Sequence, residues 1–209
     1  ETRRLTMRDG LVGDDVNVLH LDPLRGLWIG TDDGVSLYDG QTFVNYTGRL
    51  AGIIWDITED PEGNLWIATE RSGAWRYDPN TFVNYTMKDG IGTSDDVMVV
   101  FVGPEGDLWI GMGWPYEDGG GVARFDGQAF VSYAEADGVL MEGVHSIDRT
   151  PDGATWVGIM GGGLARYDDG RWTAYTTADG LPSNYVKTVY WDEVDSDRKS
   201  TRLNSSHQI

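Results

Sequence analysis

The chain of 209 residues contains no cysteine. This absence excludes a disulfide-bonded scaffold, a thiolate zinc site and a cysteine nucleophile. It does not identify a compartment, because a chain without cysteine can fold in oxidising and in reducing surroundings.

Basic charge and long apolar segments are also scarce. The chain has 16 basic and 34 acidic residues, which gives a formal net charge of −18. This charge excludes nucleic acid as a partner and contact of this segment with an anionic membrane surface, since both are negative. The longest apolar run, Val97–Val102, is far shorter than the roughly 18 residues of a membrane span. The chain begins with Glu1 and shows no signal segment, so we expect an internal piece of a longer protein.

The chain does contain an internal repeat. Glycine is abundant, at 29 residues, and there are nine tryptophans and ten tyrosines. A four-residue pattern recurs at intervals of 38, 43 and 47 residues. It consists of an apolar or small residue, a tryptophan, a β-branched residue and a small residue. Its anchors are Trp28, Trp66, Trp109 and Trp156. After each anchor come two more short segments rich in aromatic and β-branched residues, bounded by Gly, Pro or Asp, which is typical of strands.

This pattern predicts an all-β fold, a β-propeller. Four short strands per repeat, with glycine and aromatic markers at fixed offsets and no helical period, are typical of propeller blades. The repeated tryptophan fits as a wedge between adjacent sheets. We expect four complete four-stranded blades, at about residues 9–46, 47–85, 86–133 and 134–175, and the first strand of a fifth blade within 176–195.

Both ends of the chain break within a repeat, which favours a fragment of a larger ring of about seven blades. The alternative is a closed four-bladed ring whose ends pair. Residues 196–209 carry no repeat marker and are polar throughout. They resemble a translated sequencing-adapter tail, and we interpret them as a non-native or disordered segment outside the domain.

The order Asp-Gly-Leu, Leu-Trp-Ile-Gly, Gly-Val and Tyr-Asp resembles the two-component regulator propeller repeat over residues 9–195. Trp28–Val35 is close to that consensus, whereas the third copy departs from it by the insertion Gly113–Gly120. The resemblance implies the periplasmic sensor region of a bacterial histidine kinase or hybrid regulator. It also implies a polysaccharide breakdown product as ligand and signalling through a homodimer of the full-length protein. The motif is architectural, so no catalytic residue carries over from it.

The insertion lengthens the loop between the second and third strands of its blade. Exposed loops on a rigid scaffold commonly hold binding residues. Trp114 and Tyr116 can stack on a sugar ring, and Glu117 and Asp118 can accept hydrogen bonds from its hydroxyls. Together with His145 they form the predicted ligand-binding set. The alternative is a variable loop without a contact role.

Glu142 and His145 form a second candidate pair, at the start of the fourth inner strand. They could act as a general base or a metal-ligand pair, as His and Glu do in streptogramin lyases, whose repeats are related. Two titratable groups without a third make a weak site, and residues on the rim of the propeller are the plainer interpretation. The other inner-strand histidine, His20, is interpreted as a structural partner of a backbone group.

Three pairs of acids, Asp14-Asp15, Asp32-Asp33 and Asp95-Asp96, recur near the starts of blades or in loops. They lack the regular spacing of a calcium loop, so we predict solvated turns, with no metal and no cofactor. The leading hypothesis is a non-catalytic sensor that recognises a small molecule or oligosaccharide. The alternatives are a propeller lyase acting at Glu142 and His145, and a platform for protein interaction.

Overall fold

The computed structural model describes residues 3–78, 81–114, 119–133 and 143–192. In these ranges sixteen strands form four separate sheets, each an antiparallel meander of four strands in chain order. The first two sheets contain β1 (Val16–Asp22), β2 (Gly26–Thr31), β3 (Gly34–Tyr38) and β4 (Phe43–Tyr46), and then β5 (Ile54–Glu59), β6 (Leu65–Thr69), β7 (Ala74–Asp78) and β8 (Thr81–Tyr85). The third and fourth sheets contain β9 (Val97–Val102), β10 (Leu108–Met112), β11 (Gly121–Phe125) and β12 (Phe130–Tyr133), and then β13 (Val144–Arg149), β14 (Thr155–Ile159), β15 (Gly163–Asp168) and β16 (Arg171–Tyr175).

Turn residues set where the strands end. In the turns that join the first two strands of the second and third sheets, Gly63 and Gly106 have φ angles of 82° and 84°. This left-handed conformation favours glycine, so the Pro-acidic-Gly sequence fixes a tight reversal. In the described ranges, 3-10 helices precede the first sheet (Met7–Asp9), join the second sheet to the third (Met87–Asp89) and follow the fourth (Thr177–Asp179). Within the described ranges, no helix is long and apolar enough to cross a membrane.

The hydrophobic core lies between the sheets. One cluster joins Trp28 and Val35 of the first sheet to Ile54, Ile57 and Leu65 of the second. Two further clusters join the second sheet to the third and the third to the fourth. The first strands of successive sheets also lie beside one another. This arrangement of radially stacked meanders confirms the predicted all-β propeller.

The repeated tryptophan lies at each junction between sheets. Its indole stacks on a tyrosine from the fourth strand of its own sheet and meets an aromatic ring from the third strand of the next sheet, with ring centroids 5.3–6.2 Å apart. These groups are Trp28 with Tyr46 and Tyr77, Trp66 with Tyr85 and Phe125, and Trp109 with Tyr133 and Tyr167. Trp156, in the fourth sheet, stacks on Tyr175 of its own sheet at 5.7 Å and is partly exposed.

The predicted first strand of a fifth blade differs from expectation. Residues 186–191 lie beside β13 but form no strand among the described residues. Side chains of β13 bind this segment: Ser146 Oγ accepts a hydrogen bond from Val189 N at 2.9 Å, and Asp148 accepts one from Trp191 N at 2.6 Å. Among the described residues no second strand pairs with this segment, so it forms no ladder of its own. The predicted tail, residues 196–209, lies outside the described ranges.

Candidate functional site

The alternating strand directions give the propeller two distinct faces. The loops between second and third strands and the starts of the inner strands lie on one face, here called the upper face. The turns between first and second strands and between third and fourth strands lie on the opposite, lower face. Trp114 follows β10, so it lies on the upper face together with the starts of β5 and β13.

Three rings from three different sheets meet on the upper face. Trp114 of the third sheet makes an edge contact with Trp55 of the second, with centroids 5.2 Å apart and planes at 75°. It makes a similar contact with His145 of the fourth sheet, at 6.2 Å and 78°. We call Trp55, Trp114 and His145 the aromatic mouth. Trp114, in the insertion, therefore contacts residues of both neighbouring sheets, the second and the fourth.

Two polar atoms of the aromatic mouth lack a partner. Trp55 Nε1 and His145 Nε2 are buried and have no hydrogen-bond partner among the described residues. Burial lowers the pKa of His145, and the positive charge of Lys187 lowers it further, so the imidazole is neutral at pH 7. A buried polar group without a partner costs free energy, and a ligand hydroxyl could supply that partner.

Asp56, the neighbour of Trp55 in the chain, joins two sheets. Its carboxylate accepts hydrogen bonds from the backbone N–H of Ile57 at 2.9 Å and from that of Val100, on β9, at 3.1 Å. Burial raises the pKa of Asp56 to about 6, although these amide donors and His20 oppose the rise. Asp56 occupies the same repeat position as Ser146, which bonds to Val189. Its role is therefore to connect inner strands.

A family comparison identifies the repeat itself. Residues 48–71 match the family model of the two component regulator propeller. This segment of the second repeat is similar to the two component regulator propeller. The match confirms the predicted resemblance in that segment, which contains the Trp66 anchor and Trp55 of the aromatic mouth. Among curated proteins, none matches the chain.

Solved structures share the propeller fold. The extracellular domain of the hybrid two component system BT3049 from B. thetaiotaomicron has a TM-score of 0.77 and 22% identity, over 92% of this chain and 28% of that chain. The extracellular domain of BT4673 from the same organism has a TM-score of 0.66 and 16% identity, over 86% and 25%. The gluconolactonase XC5397 from Xanthomonas campestris has a TM-score of 0.59 and 12% identity, over 88% and 73%. This propeller thus spans 28% and 25% of the BT3049 and BT4673 chains, and these likenesses establish its fold.

The propeller brings together part of the predicted site. Trp114 and His145 are in contact, whereas Tyr116, Glu117, Asp118 and Glu142 lie outside the described residues. The sequence interpretation missed Trp55. A signal was present, because the repeat alignment puts Trp55 and His145 at the same position, the second residue of their inner strands.

Other charged residues singled out in the sequence have structural partners. His20 Nε2 lies 3.5 Å from a carboxylate oxygen of Glu59 on the next sheet and forms no hydrogen bond with the described residues. Asp14 and Asp95 accept hydrogen bonds from the backbone N–H of Met7 at 2.8 Å and of Met87 at 2.7 Å. Among the described residues, no group of three or more His, Asp or Glu side chains is placed to hold a metal ion.

Proposed function

We propose that this propeller is a non-catalytic, extracytoplasmic ligand-sensing domain of a two-component signal transduction protein. The propeller repeat of residues 48–71 and the likeness to the extracellular domains of BT3049 and BT4673 support this assignment. In the full-length protein, the sensor would pass ligand occupancy to a kinase core through a homodimer.

The aromatic mouth is the proposed binding site, and an oligosaccharide is the proposed ligand. The observation that carries this proposal is the meeting of Trp55, Trp114 and His145 around polar atoms that lack partners. Sugar rings present C–H faces that stack on indoles, and their hydroxyls can bond to indole N–H and neutral imidazole groups. The net charge of −18 does not oppose binding of a neutral sugar, because the sugar carries no charge to be repelled.

Binding of neutral oligosaccharides by isothermal titration calorimetry tests the proposal. We expect Trp114→Ala to weaken binding of the best gluco-, xylo- or galacto-oligosaccharide roughly tenfold, because a stacking surface is removed. Tyr190→Ala is the matched control, since Tyr190 is an aromatic residue with 71% exposure outside the aromatic mouth. Equal affinity of the wild-type protein and Trp114→Ala for every bound sugar would contradict the proposal.

The same samples separate a sensor from a lyase. A lyase would degrade the bound sugar, whereas a sensor would leave it intact. We expect mass spectrometry to recover the bound sugar unchanged after prolonged incubation. A degradation product that the wild-type protein forms and His145→Gln does not form would instead favour the lyase, with Glu142 and His145 as its catalytic pair.

A further inference from the structure

Residues 186–191, here called the open segment, are held in the position of an inner strand. Just before them, Asn184 accepts a hydrogen bond from Thr177 N through its side chain at 2.7 Å and one from Gly163 N through its backbone carbonyl at 2.8 Å. Asp95 accepts the two equivalent backbone hydrogen bonds before β9, at 2.7 and 2.8 Å. The connection after the fourth sheet is therefore built like the one that leads from the second sheet into the third.

One edge of the open segment has no partner among the described residues. Val189 N and Trp191 N both bond to side chains of β13, and this two-residue period is that of an extended chain. Successive N–H groups of an extended chain point to opposite sides. The N–H groups of Thr188 and Tyr190 therefore point away from β13, and neither forms a hydrogen bond with another described residue.

The third sheet shows which kind of strand belongs at this edge. Val100 N on β9 bonds to Asp56 of the preceding sheet, as Val189 N bonds to β13. The residues on either side of Val100 pair with Gly111 and Trp109 of β10. The two unpaired N–H groups of the open segment thus stand where β9 pairs with the second strand of its sheet.

The anchor of the fourth sheet forms an apolar wall beside this edge. In the first sheet, Trp28 belongs to the same buried cluster as Leu65 and Ile67 of the next second strand, and both of these are 0% exposed. The next junction has the same arrangement, with two apolar residues of β10 in the cluster of its anchor. Trp156 is partly exposed, and no second strand covers it in the described part of the chain. The open segment and Trp156 therefore border a groove with a polar backbone edge and an apolar wall.

We propose that this groove is a strand-addition site for an extended polypeptide with the second-strand pattern of an apolar residue, a tryptophan, a β-branched residue and a small residue. Such a strand would run antiparallel to the open segment and bond to the backbone of Thr188 and Tyr190. The residues on either side of its tryptophan would pack on Trp156. Main-chain hydrogen bonds supply affinity in this mode of recognition, and alternate side chains supply specificity.

A second folded copy of this chain is not the occupant. In each described sheet, the second strand is paired on both sides, so a folded copy has no such strand to offer. The occupant is therefore a strand from another polypeptide segment of the same repeat type. This inference goes beyond the proposed function, because it concerns a polypeptide partner and uses no residue of the aromatic mouth.

Fluorescence anisotropy on the full chain tests the site, with a fluorescein-labelled peptide that copies Gly26–Thr31 between two solubilising lysines. We expect saturable binding. Tyr190→Pro should bind the peptide about tenfold or more weakly than Tyr190→Ala, because only proline removes the backbone N–H donor. Tyr190→Ala is the matched control, since both variants lose the same exposed side chain. Circular dichroism should show that both variants are folded.

Two methylated peptides test the pairing on the unchanged protein. Methylation of the amide nitrogen of the copied Trp28 blocks the bond to Tyr190 and should weaken binding about tenfold or more. Methylation of the amide nitrogen of the copied Ile29 is the control, because that amide points away from the open segment. It should weaken binding by less than about threefold.

Four outcomes would overturn the inference. The first is the absence of saturable binding to the wild-type protein, and the second is equal affinity of Tyr190→Pro and Tyr190→Ala. The third is equal affinity of the two methylated peptides. The fourth is binding that is lost in Leu19→Lys but kept in Tyr190→Pro, which would place the peptide on the first sheet. None of these outcomes alters sugar binding at the aromatic mouth, so the proposed function is tested separately.

Discussion

At the scale of single residues, Asp56 makes the stability of the protein depend on pH. Its pKa is raised to about 6 from an ordinary value of 3.8, mainly by burial. The folded state therefore binds the proton more tightly than the unfolded state, and Asp56 lowers stability as pH rises from about 4 to about 6. Above that window, the folded protein keeps the full cost of a buried charge.

Asp56→Asn should remove this cost while keeping an acceptor for Val100 N. We expect the variant to be more stable at pH 7.5 by on the order of 1 kcal/mol, with a smaller gain at pH 4.5. Urea unfolding at the two pH values measures the difference. Asp126→Asn is a control of opposite sign, because backbone N–H groups of Ala129 and Gln128 lower the pKa of Asp126. An equal gain from Asp56→Asn at both pH values would contradict the burial argument.

Some residues of the site could be predicted from the sequence and others could not. The tryptophan anchors were visible because each stands in a repeated pattern, and Trp114 was visible because it lies in the insertion. Trp55 shares its repeat position with His145, but its contact with Trp114 joins two sheets and follows only from the fold.

At the scale of elements, the anchors differ in how much they stabilise their sheets. Trp109 is 1% exposed, donates to Asp107 and meets Tyr167 of the next sheet. Trp156 is partly exposed and donates to Thr150 at the longer distance of 3.3 Å. Trp109 thus packs on two sheets, whereas Trp156 packs mainly on its own sheet.

Trp109→Ala should destabilise the protein by about 3–5 kcal/mol, in the range for a fully buried aromatic residue. Trp156→Ala should cost no more than about half as much, because less surface is buried and a weaker hydrogen bond is lost. Chemical denaturation followed by circular dichroism compares the two variants. Equal losses would mean that packing between sheets does not set the contribution of the anchor.

The strands themselves were predictable, and the segments between them were predictable only in part. The alternation of short apolar runs with Gly, Pro and Asp follows directly from strand and turn chemistry. The Asp-Gly pairs were visible as turns, but not the bonding of Asp89, which accepts from both the N–H and the hydroxyl of Thr86 at 2.8 and 2.9 Å. Residues 186–191 had the composition of a strand, but among the described residues no second strand pairs with them. Composition does not reveal whether such a partner is present.

At the scale of the whole molecule, the first sheet leaves apolar side chains exposed. Leu19 is 60% exposed, whereas its repeat equivalents Ile57, Val100 and Ile147 are 5%, 3% and 6% exposed. Leu21 beside it on β1 is 70% exposed. The outer side of the first sheet therefore presents a surface that other sheets of this propeller bury.

We expect this chain to self-associate in a concentration-dependent manner, because exposed apolar strand surfaces favour association. Analytical ultracentrifugation across a range of concentrations measures the effect. Leu19→Lys should shift the population toward monomer, and Leu24→Lys, at a turn residue with 93% exposure, is the control. A chain that sediments as a monomer at all concentrations would contradict this expectation.

The position of Trp114 has a mechanical consequence. No strand of one sheet pairs with a strand of another in the described part of the chain, so neighbouring sheets are joined by side chains and loops. Such a joint can tilt slightly without breaking a backbone ladder. A sugar held by Trp55, Trp114 and His145 would touch three sheets at once and act as a brace across two of these joints. Ligand binding would then restrict the tilting of the second, third and fourth sheets relative to one another.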